Sequence, residues 1–198
     1  MQNKIKLFSF ITALLLFHNS VLAWDNSVED RVAANNTRME AKELAITHNR
    51  QGITFLQEGY PLHAINEFKI GIMLNPNSAM SADLYNNLGR SYEMVKAYDN
   101  AITSYEHAIQ INPNFALYYK NLINAYKSKK TLNQALANYE KIVKLNPEDA
   151  QAQFILGLIY MEKDNKPKAI EALKMFLTLE PNLDLASAAQ KYIDNLNQ

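Results

Sequence analysis

Residues 85–113, YNNLGRSYEMVKAYDNAITSYEHAIQINP, decide the fold of this 198-residue chain. In the first half of the stretch, large residues and one glycine recur three or four positions apart, which places them on one face of a helix. In the second half, small residues flank a tyrosine, and Pro113 then ends the helix because proline lacks an N–H and disfavours helical geometry in the preceding residue. The stretch therefore predicts two short helices that pack against each other. The positions that carry this pattern are Tyr85, Leu88, Gly89, Tyr92, Ala101, Tyr105 and Ala108.

The same pattern occurs four times along the chain, and each copy closes at a proline. The closing residues are Pro76, Pro113, Pro147 and Pro181, and the last two intervals are 34 residues each. The first interval is 37 residues, and we expect the three extra residues in the turn around residues 77–81.

The spacing W-x2-L-G-x2-Y, then A-x3-F, then P, at a period of 34 residues, resembles the tetratricopeptide repeat (TPR) family. The resemblance covers residues 45–181, in four copies over about 45–78, 82–115, 116–149 and 150–181. It implies an all-α fold, a right-handed superhelix (α-solenoid) of four helical hairpins. Residues 182–198 are amphipathic and predict a C-terminal capping helix, since the last repeat of a solenoid needs an element that is apolar inward and polar outward.

Three of the four copies depart from the pattern at particular positions. The departures are His48 and Gln51 in the first copy, Ile123 and Ile142 in the third, and Gln153, Leu173 and Phe176 in the fourth.

The N-terminus has the order of a secretory signal peptide. Lys4 and Lys6 precede an apolar run over residues 7–17, and small residues then lead to Ala23. The run is well short of the roughly 20 residues that span a bilayer. We therefore expect a signal peptide over residues 1–23, cleaved near Ala23, and a periplasmic or secreted protein without an integral membrane segment in the mature chain. An uncleaved anchor is the alternative, and a eukaryotic secretory pathway stays open. Residues 24–44 predict a polar, partly helical segment with a break at Asn35 and Asn36.

Composition excludes several classes of function. Lysine and arginine number 20, as do aspartate and glutamate, so the chain lacks the basic surface that nucleic-acid binding needs. The four histidines lack metal-ligand spacing, and no phosphate loop or nucleophile motif occurs. We therefore expect no enzyme activity, no catalytic residue, no metal and no cofactor. Most tyrosines are assigned to the core rather than to a ligand site: Tyr85, Tyr92, Tyr105, Tyr119, Tyr126, Tyr139 and Tyr160.

In the family that the repeats resemble, the first helix of each copy lines a concave groove that binds an extended peptide or a helix of another protein. The corresponding positions here are amide-rich and cationic in the centre and apolar towards the C-terminus. Amides can pair with a peptide backbone, and cations can hold a carboxylate. The candidate groove residues are Asn49, Ile53, Asn86, Arg90, Lys120, Asn124, Phe154 and Leu158. The alternative is that the final helix covers Phe154 and Leu158 and that the polar residues are merely solvated.

These features together predict an adaptor that binds another protein in a cell-envelope or secretion assembly. The alternative is a self-associating scaffold whose groove is filled by its own N-terminal segment or by a second copy. The sequence leaves homo-oligomerisation and the identity of the partner open.

Overall fold

The computed structural model describes residues 31, 33–75, 79–180 and 183–198. The predicted signal peptide and the beginning of the 24–44 segment lie outside the described residues. The chain divides into two units, Met1–Leu44 and Ala45–Gln198. Of the helices described, none combines the length and apolarity needed to cross a membrane.

The described residues form α-helices joined by short turns, and no strand occurs among them. Along the second unit, successive helices pack against each other, and the last helix lies against the one before it. This order confirms the all-α fold of stacked hairpins followed by a C-terminal helix. The helices are α1, described over residues 33–57, then α2 Pro61–Leu74, α3 Ala79–Met94, α4 Tyr98–Ile111, α5 Ala116–Ser128, α6 Leu132–Leu145, α7 Ala150–Glu162, α8 Lys166–Leu179 and α9 Leu183–Leu196.

The turn inside each hairpin has the same backbone geometry in all four copies. Gly59 has a φ of 81°, and Lys96, Lys130 and Asp164 at the corresponding positions have φ values of 59°, 64° and 56°. The next residue donates its N–H back to the first helix, as Thr131 does to the Tyr126 carbonyl at 2.9 Å. This is a left-handed helix end, which glycine adopts without cost. Of these four positions, only the first has a glycine.

Glycine in the first helix lets the second helix come close. A Cβ placed on Gly89 would lie 2.6 Å from the Tyr105 ring, and one on Gly157 would lie 2.7 Å from Leu173. Tyr105 and Leu173 are both fully buried, so the neighbour fills the space that the glycine leaves.

The third hairpin differs because isoleucine stands at both positions where the second hairpin has a small residue. Ile123 takes the place of Gly89, and α5 and α6 approach each other much less closely than α3 and α4 do. A cleft of about 300 Å³ opens between α4, α5, α6 and α7, with Ile142 in its wall. The departures at these two positions therefore widen the hairpin without breaking the stack.

Gln153 stands where the preceding copy has Tyr119, and both side chains make the same kind of hydrogen bond. The Tyr119 hydroxyl donates to the Pro113 carbonyl at 2.8 Å, and Gln153 Nε2 donates to the Pro147 carbonyl at 3.1 Å. Both side chains are buried. The two residue types thus tie the start of a hairpin to the proline that closes the preceding one.

Two local predictions were wrong. Residues 79–81 do not form a turn but the start of α3, which has 16 residues against 13 in α5 and α7. The Ser81 hydroxyl is buried and donates to the Asn75 carbonyl, which fixes this additional turn of helix. The helix α1 also continues through Asn35 and Asn36, since the low helix propensity of asparagine costs only a fraction of a kcal/mol per residue.

We expect Gly89→Ala to lower the free energy of unfolding by about 1–3 kcal/mol, because the added methyl group overlaps a tyrosine ring that cannot move aside. Tyr105 is held in place by burial and by the hydrogen bond from its hydroxyl to Glu93. Urea unfolding followed by circular dichroism measures the change. Ser128→Ala, at an exposed position of α5, is the control. An unchanged midpoint for Gly89→Ala would show that this contact does not set the spacing of the helices.

Ala101→Leu is expected to cost about 1–3 kcal/mol of stability, since Ala101 is fully buried in α4 and a larger side chain overpacks the core. Ala137→Leu adds the same atoms at an exposed position of α6 and should leave the melting temperature nearly unchanged. Equal melting temperatures for the two variants would contradict the assignment of Ala101 to the helix interface.

Candidate functional site

A cavity of about 530 Å³ lies on the face formed by the first helix of each hairpin, which we term the first-helix face. Three helices, α1, α3 and α5, contribute its walls, so successive repeats build one site. The lining combines apolar side chains with one arginine and one carboxylate. We call this site the α1–α3–α5 cavity; it is lined by Ile53, Leu56, Gln57, Arg90, Glu93, Met94 and Asn121.

Asparagine side chains link neighbouring repeats beside this cavity. Asn87 Nδ2 donates to Asn49 Oδ1 at 3.4 Å, and Asn121 Nδ2 donates to Asn86 Oδ1 at 2.8 Å. Asn86 is buried, so its amide is held between α3 and α5 rather than presented to solvent. These amides therefore join the repeats to one another.

The two charged groups in the cavity are held differently. Glu93 accepts a hydrogen bond from the Tyr105 hydroxyl at 2.6 Å. Burial, followed by this hydrogen bond, raises the pKa of Tyr105 well above its ordinary value, so the phenol remains a donor. Arg90 is exposed and donates only a long 3.5 Å hydrogen bond to Asn87 within the described residues. Its guanidinium group is therefore available to an acceptor on a ligand.

The eight candidate groove residues fall into three groups by exposure. Arg90 and Lys120 are exposed. Asn49, Ile53 and Asn124 are half-buried. Asn86, Phe154 and Leu158 are buried. The structure brings only Ile53 and Arg90 together in the α1–α3–α5 cavity.

Phe154 and Leu158 are buried because other helices surround α7. Nine consecutive residues of this helix, 152–160, are buried. The Phe154 ring lies between those of Tyr119 and Phe176, each 5.0 Å away between centroids, and Tyr192 of α9 lies 6.4 Å away. The helix α9 also contacts α5, beyond its neighbour α8. The final helix thus helps to cover the α7 part of the first-helix face.

A second, smaller cavity remains where α5, α7 and α9 meet. Its volume is about 190 Å³, and a lysine and a glutamate accompany its apolar lining. We call it the α5–α7–α9 pocket; it is lined by Lys120, Ile123, Leu158, Met161, Glu162 and Tyr192.

The tyrosines that the sequence assigned to the core are buried or packed against it. Tyr105, Tyr119 and Tyr160 are buried, and Tyr126 and Tyr139 are half-buried. Burial raises the pKa of Tyr139 to about 12, and burial followed by the hydrogen bond to Glu140 raises the pKa of Tyr160 to about 12. Tyr85 and Tyr92 also pack against the core.

Among the described histidines, His48 lies against the carboxylate of Glu67. His48 Nδ1 lies 2.7 Å from Glu67 Oε2 and joins α1 to α2, while His63 packs against the Phe55 and Tyr60 rings. Neither His48 nor Glu67 lines the cavities described above. Within the described ranges, no cluster of three or more His, Asp or Glu side chains could hold a metal ion. The contact between His48 and Glu67 thus links the first two helices away from the cavities.

Sequence reasoning missed most of the lining of both cavities. Asn121 follows a predicted groove position directly, and a 35-residue spacing from Asn86 was the signal for their hydrogen bond. Glu93 and Met94 lie one turn further along α3 than Arg90, in line with it. Tyr192 lies outside the repeats, so the 34-residue period carries no signal for it.

Two family models match the chain, and both describe the tetratricopeptide repeat. One matches residues 82–115 and the other residues 123–184. A search of curated protein sequences gave no significant match.

Several solved structures are similar. A crystal structure of MamA is 28% identical, with a TM-score of 0.45 over 72% of this chain and 82% of that one. MamA from Desulfovibrio magneticus RS-1 is 20% identical, with a TM-score of 0.46 over 78% and 93% of the two chains. YrrB, described as a TPR protein with an unusual peptide-binding site, is 21% identical, with a TM-score of 0.42 over 74% of each chain.

The matches cover the second hairpin and most of the third and fourth, where the left-handed turn recurs at Lys96, Lys130 and Asp164. The chain belongs to the tetratricopeptide repeat family.

Proposed function

We propose that this protein is an adaptor that binds a segment of another protein in the α1–α3–α5 cavity. The observation that carries the proposal is the cavity itself, which three successive repeats line with apolar groups around one available arginine. Specific protein recognition uses such a combination, in which apolar anchors fill a pocket and a charged group fixes the orientation. Repeat proteins in general use extended surfaces of this kind for binding.

The partner segment should carry an apolar side chain and a carboxylate. Ile53, Leu56 and Met94 supply apolar contact area, and Met94 is 51% exposed in the free protein. A methionine side chain adapts its shape to a ligand. Arg90 can hold a carboxylate with two parallel hydrogen bonds, whereas Glu93 is already bound by Tyr105.

We further propose that the adaptor acts outside the cytoplasm, in an assembly of the cell envelope or of secretion. The support is the order of charges and apolar residues over residues 1–23, which is that of a signal peptide. Fractionation of the expressing cell, together with the N-terminal sequence of the purified protein, tests this: an N-terminus at Trp24 supports export, and a cytoplasmic protein that starts at Met1 contradicts it.

We expect the paired change Ile53→Ala and Arg90→Ala to weaken partner binding about 10- to 100-fold, because it removes one apolar anchor and one charged anchor of the cavity. Peptides selected from a random displayed library on the wild-type protein serve as ligands, and fluorescence anisotropy measures their affinities. The matched control is Gln134→Ala with Lys141→Ala, two exposed positions on α6. The control variant should melt within about 2 °C of the wild type, since surface changes rarely alter stability much. Ile53→Ala removes a half-buried side chain that packs against the core and should lower the melting temperature by a few degrees, so binding is measured at a temperature at which all three proteins are folded.

Equal affinity of the cavity variant and the wild type for every selected peptide would place binding elsewhere. A molar mass that rises with concentration in sedimentation equilibrium, together with a failure to select any peptide, would instead favour the self-associating scaffold.

A further inference from the structure

The α5–α7–α9 pocket is small, apolar at its base and open to solvent. At about 190 Å³ it lies below the roughly 300–1,000 Å³ of sites that enclose a small-molecule ligand. A volume of this size suits one side chain of a bound protein segment. The apolar lining consists of Ile123 and Leu158, which are buried, and Met161, which is half-buried, and it favours an aliphatic side chain over a polar one.

The two charged residues of the pocket are not equivalent. Glu162 accepts a hydrogen bond from Lys127, so its charge is balanced within the protein. Lys120 is exposed and has no carboxylate or carbonyl partner among the described residues. Within the described ranges, the pocket therefore presents one cation that has no carboxylate partner.

Tyr192 adds a second free donor at the same pocket. In five core tyrosines the hydroxyl donates to a protein acceptor: Tyr105, Tyr118, Tyr119, Tyr126 and Tyr160. The Tyr192 hydroxyl has no such acceptor in the part of the chain that the structure describes, although its ring is half-buried beside Phe154. Burial raises the pKa of Tyr192, so the phenol keeps its proton and can donate.

Apolar side chains and two hydrogen-bond donors, Lys120 and Tyr192, line one pocket. This combination fits a ligand that has an aliphatic group next to an anion. We propose that this pocket binds an aliphatic side chain of a partner segment, while the side-chain carboxylate of an adjacent Asp or Glu accepts hydrogen bonds from the Lys120 ammonium group and the Tyr192 hydroxyl. This proposal rests on the proposed function, since the pocket is a second binding site for the same partner on the first-helix face. The partner segment then has an aliphatic residue next to an Asp or Glu.

The carboxylate comes from a side chain within the segment rather than from the end of a chain. Consecutive residues of α5 line the two cavities, since Lys120 belongs to the α5–α7–α9 pocket and Asn121 to the α1–α3–α5 cavity. The two cavities are therefore neighbours on α5, and one extended segment can reach both. A side-chain carboxylate lets the segment extend in both directions along this face, whereas a carboxyl terminus ends it at Lys120.

The test uses three small probes and NMR chemical shifts of the purified full-length protein. The probes are N-acetyl-Leu-Asp-amide, the neutral analogue N-acetyl-Leu-Asn-amide, and N-acetyl-leucine, which has a free terminal carboxylate. The aspartate probe should bind about tenfold more tightly than the asparagine probe, because a carboxylate makes charge-assisted hydrogen bonds and a neutral amide does not. It should also bind more tightly than N-acetyl-leucine, whose carboxylate is at the chain end. The largest shifts should fall on Ile123, Leu158 and Tyr192.

Two variants each remove one hydrogen-bond donor and keep the packing of the side chain. Lys120→Met keeps the length of the side chain, and Tyr192→Phe keeps the ring against Phe154. Lys120→Met should reduce the preference for aspartate over asparagine to about twofold or less, and Tyr192→Phe should reduce it about threefold. Lys141→Met, exposed on α6, and Tyr98→Phe, half-buried in α4, are the matched controls and should keep the full preference.

Equal affinity for the aspartate and asparagine probes, shifts outside the pocket, or tighter binding of N-acetyl-leucine would each overturn the proposal. A preference that persists in both Lys120→Met and Tyr192→Phe would also overturn it. These outcomes would leave the adaptor function intact if selected peptides still bound through Ile53 and Arg90, so the two proposals fail separately.

Discussion

The contact between a small residue on the first helix and a large one on the second sets the width of each hairpin. Where the small residue is glycine, as at Gly89 and Gly157, the helices come close enough for Tyr105 or Leu173 to fill the gap. Where Ile123 stands in that place, α5 and α6 are held apart and a cleft opens beside them. Because each hairpin packs on the next, the cleft beside Ile123 and Ile142 is bordered by α4, α5, α6 and α7 together.

Polar contacts repeat along the chain even where residue types differ. Tyr126 donates to Glu106, and Tyr160 donates to Glu140 one period later. At the corresponding position of the first copy, Lys69 lies over the Tyr92 ring instead, 5.8 Å from its centroid. The geometry of the repeat thus fixes which positions meet, while the residue type decides whether they meet through a hydrogen bond or through a cation on an aromatic face.

The periodic features of the structure were predictable from the sequence, and the features that depend on a single long-range contact were not. The helices follow from local spacing that recurs four times, and the core tyrosines from the same spacing in the last three copies. The burial of Phe154 depends on Phe176 and on Tyr192 of α9, which lies outside the repeats, so its position in the pattern wrongly favoured an open groove. The 79–81 extension of α3 likewise depends on a bond from Ser81 to Asn75 that no period specifies.

The hydrogen bonds among the asparagines decide which groups can give the first-helix face its specificity. Asn86 and Asn121 already bind each other, as do Asn49 and Asn87, in the free protein. A ligand that paired with these amides would exchange one hydrogen bond for another, with little net gain in free energy. The sequence pattern assigned such amides to a peptide backbone, whereas the cations Arg90 and Lys120 have no carboxylate partner among the described residues. A carboxylate on these cations gains new charge-assisted bonds, so recognition on this face depends on the acidic residues of a partner more than on its backbone.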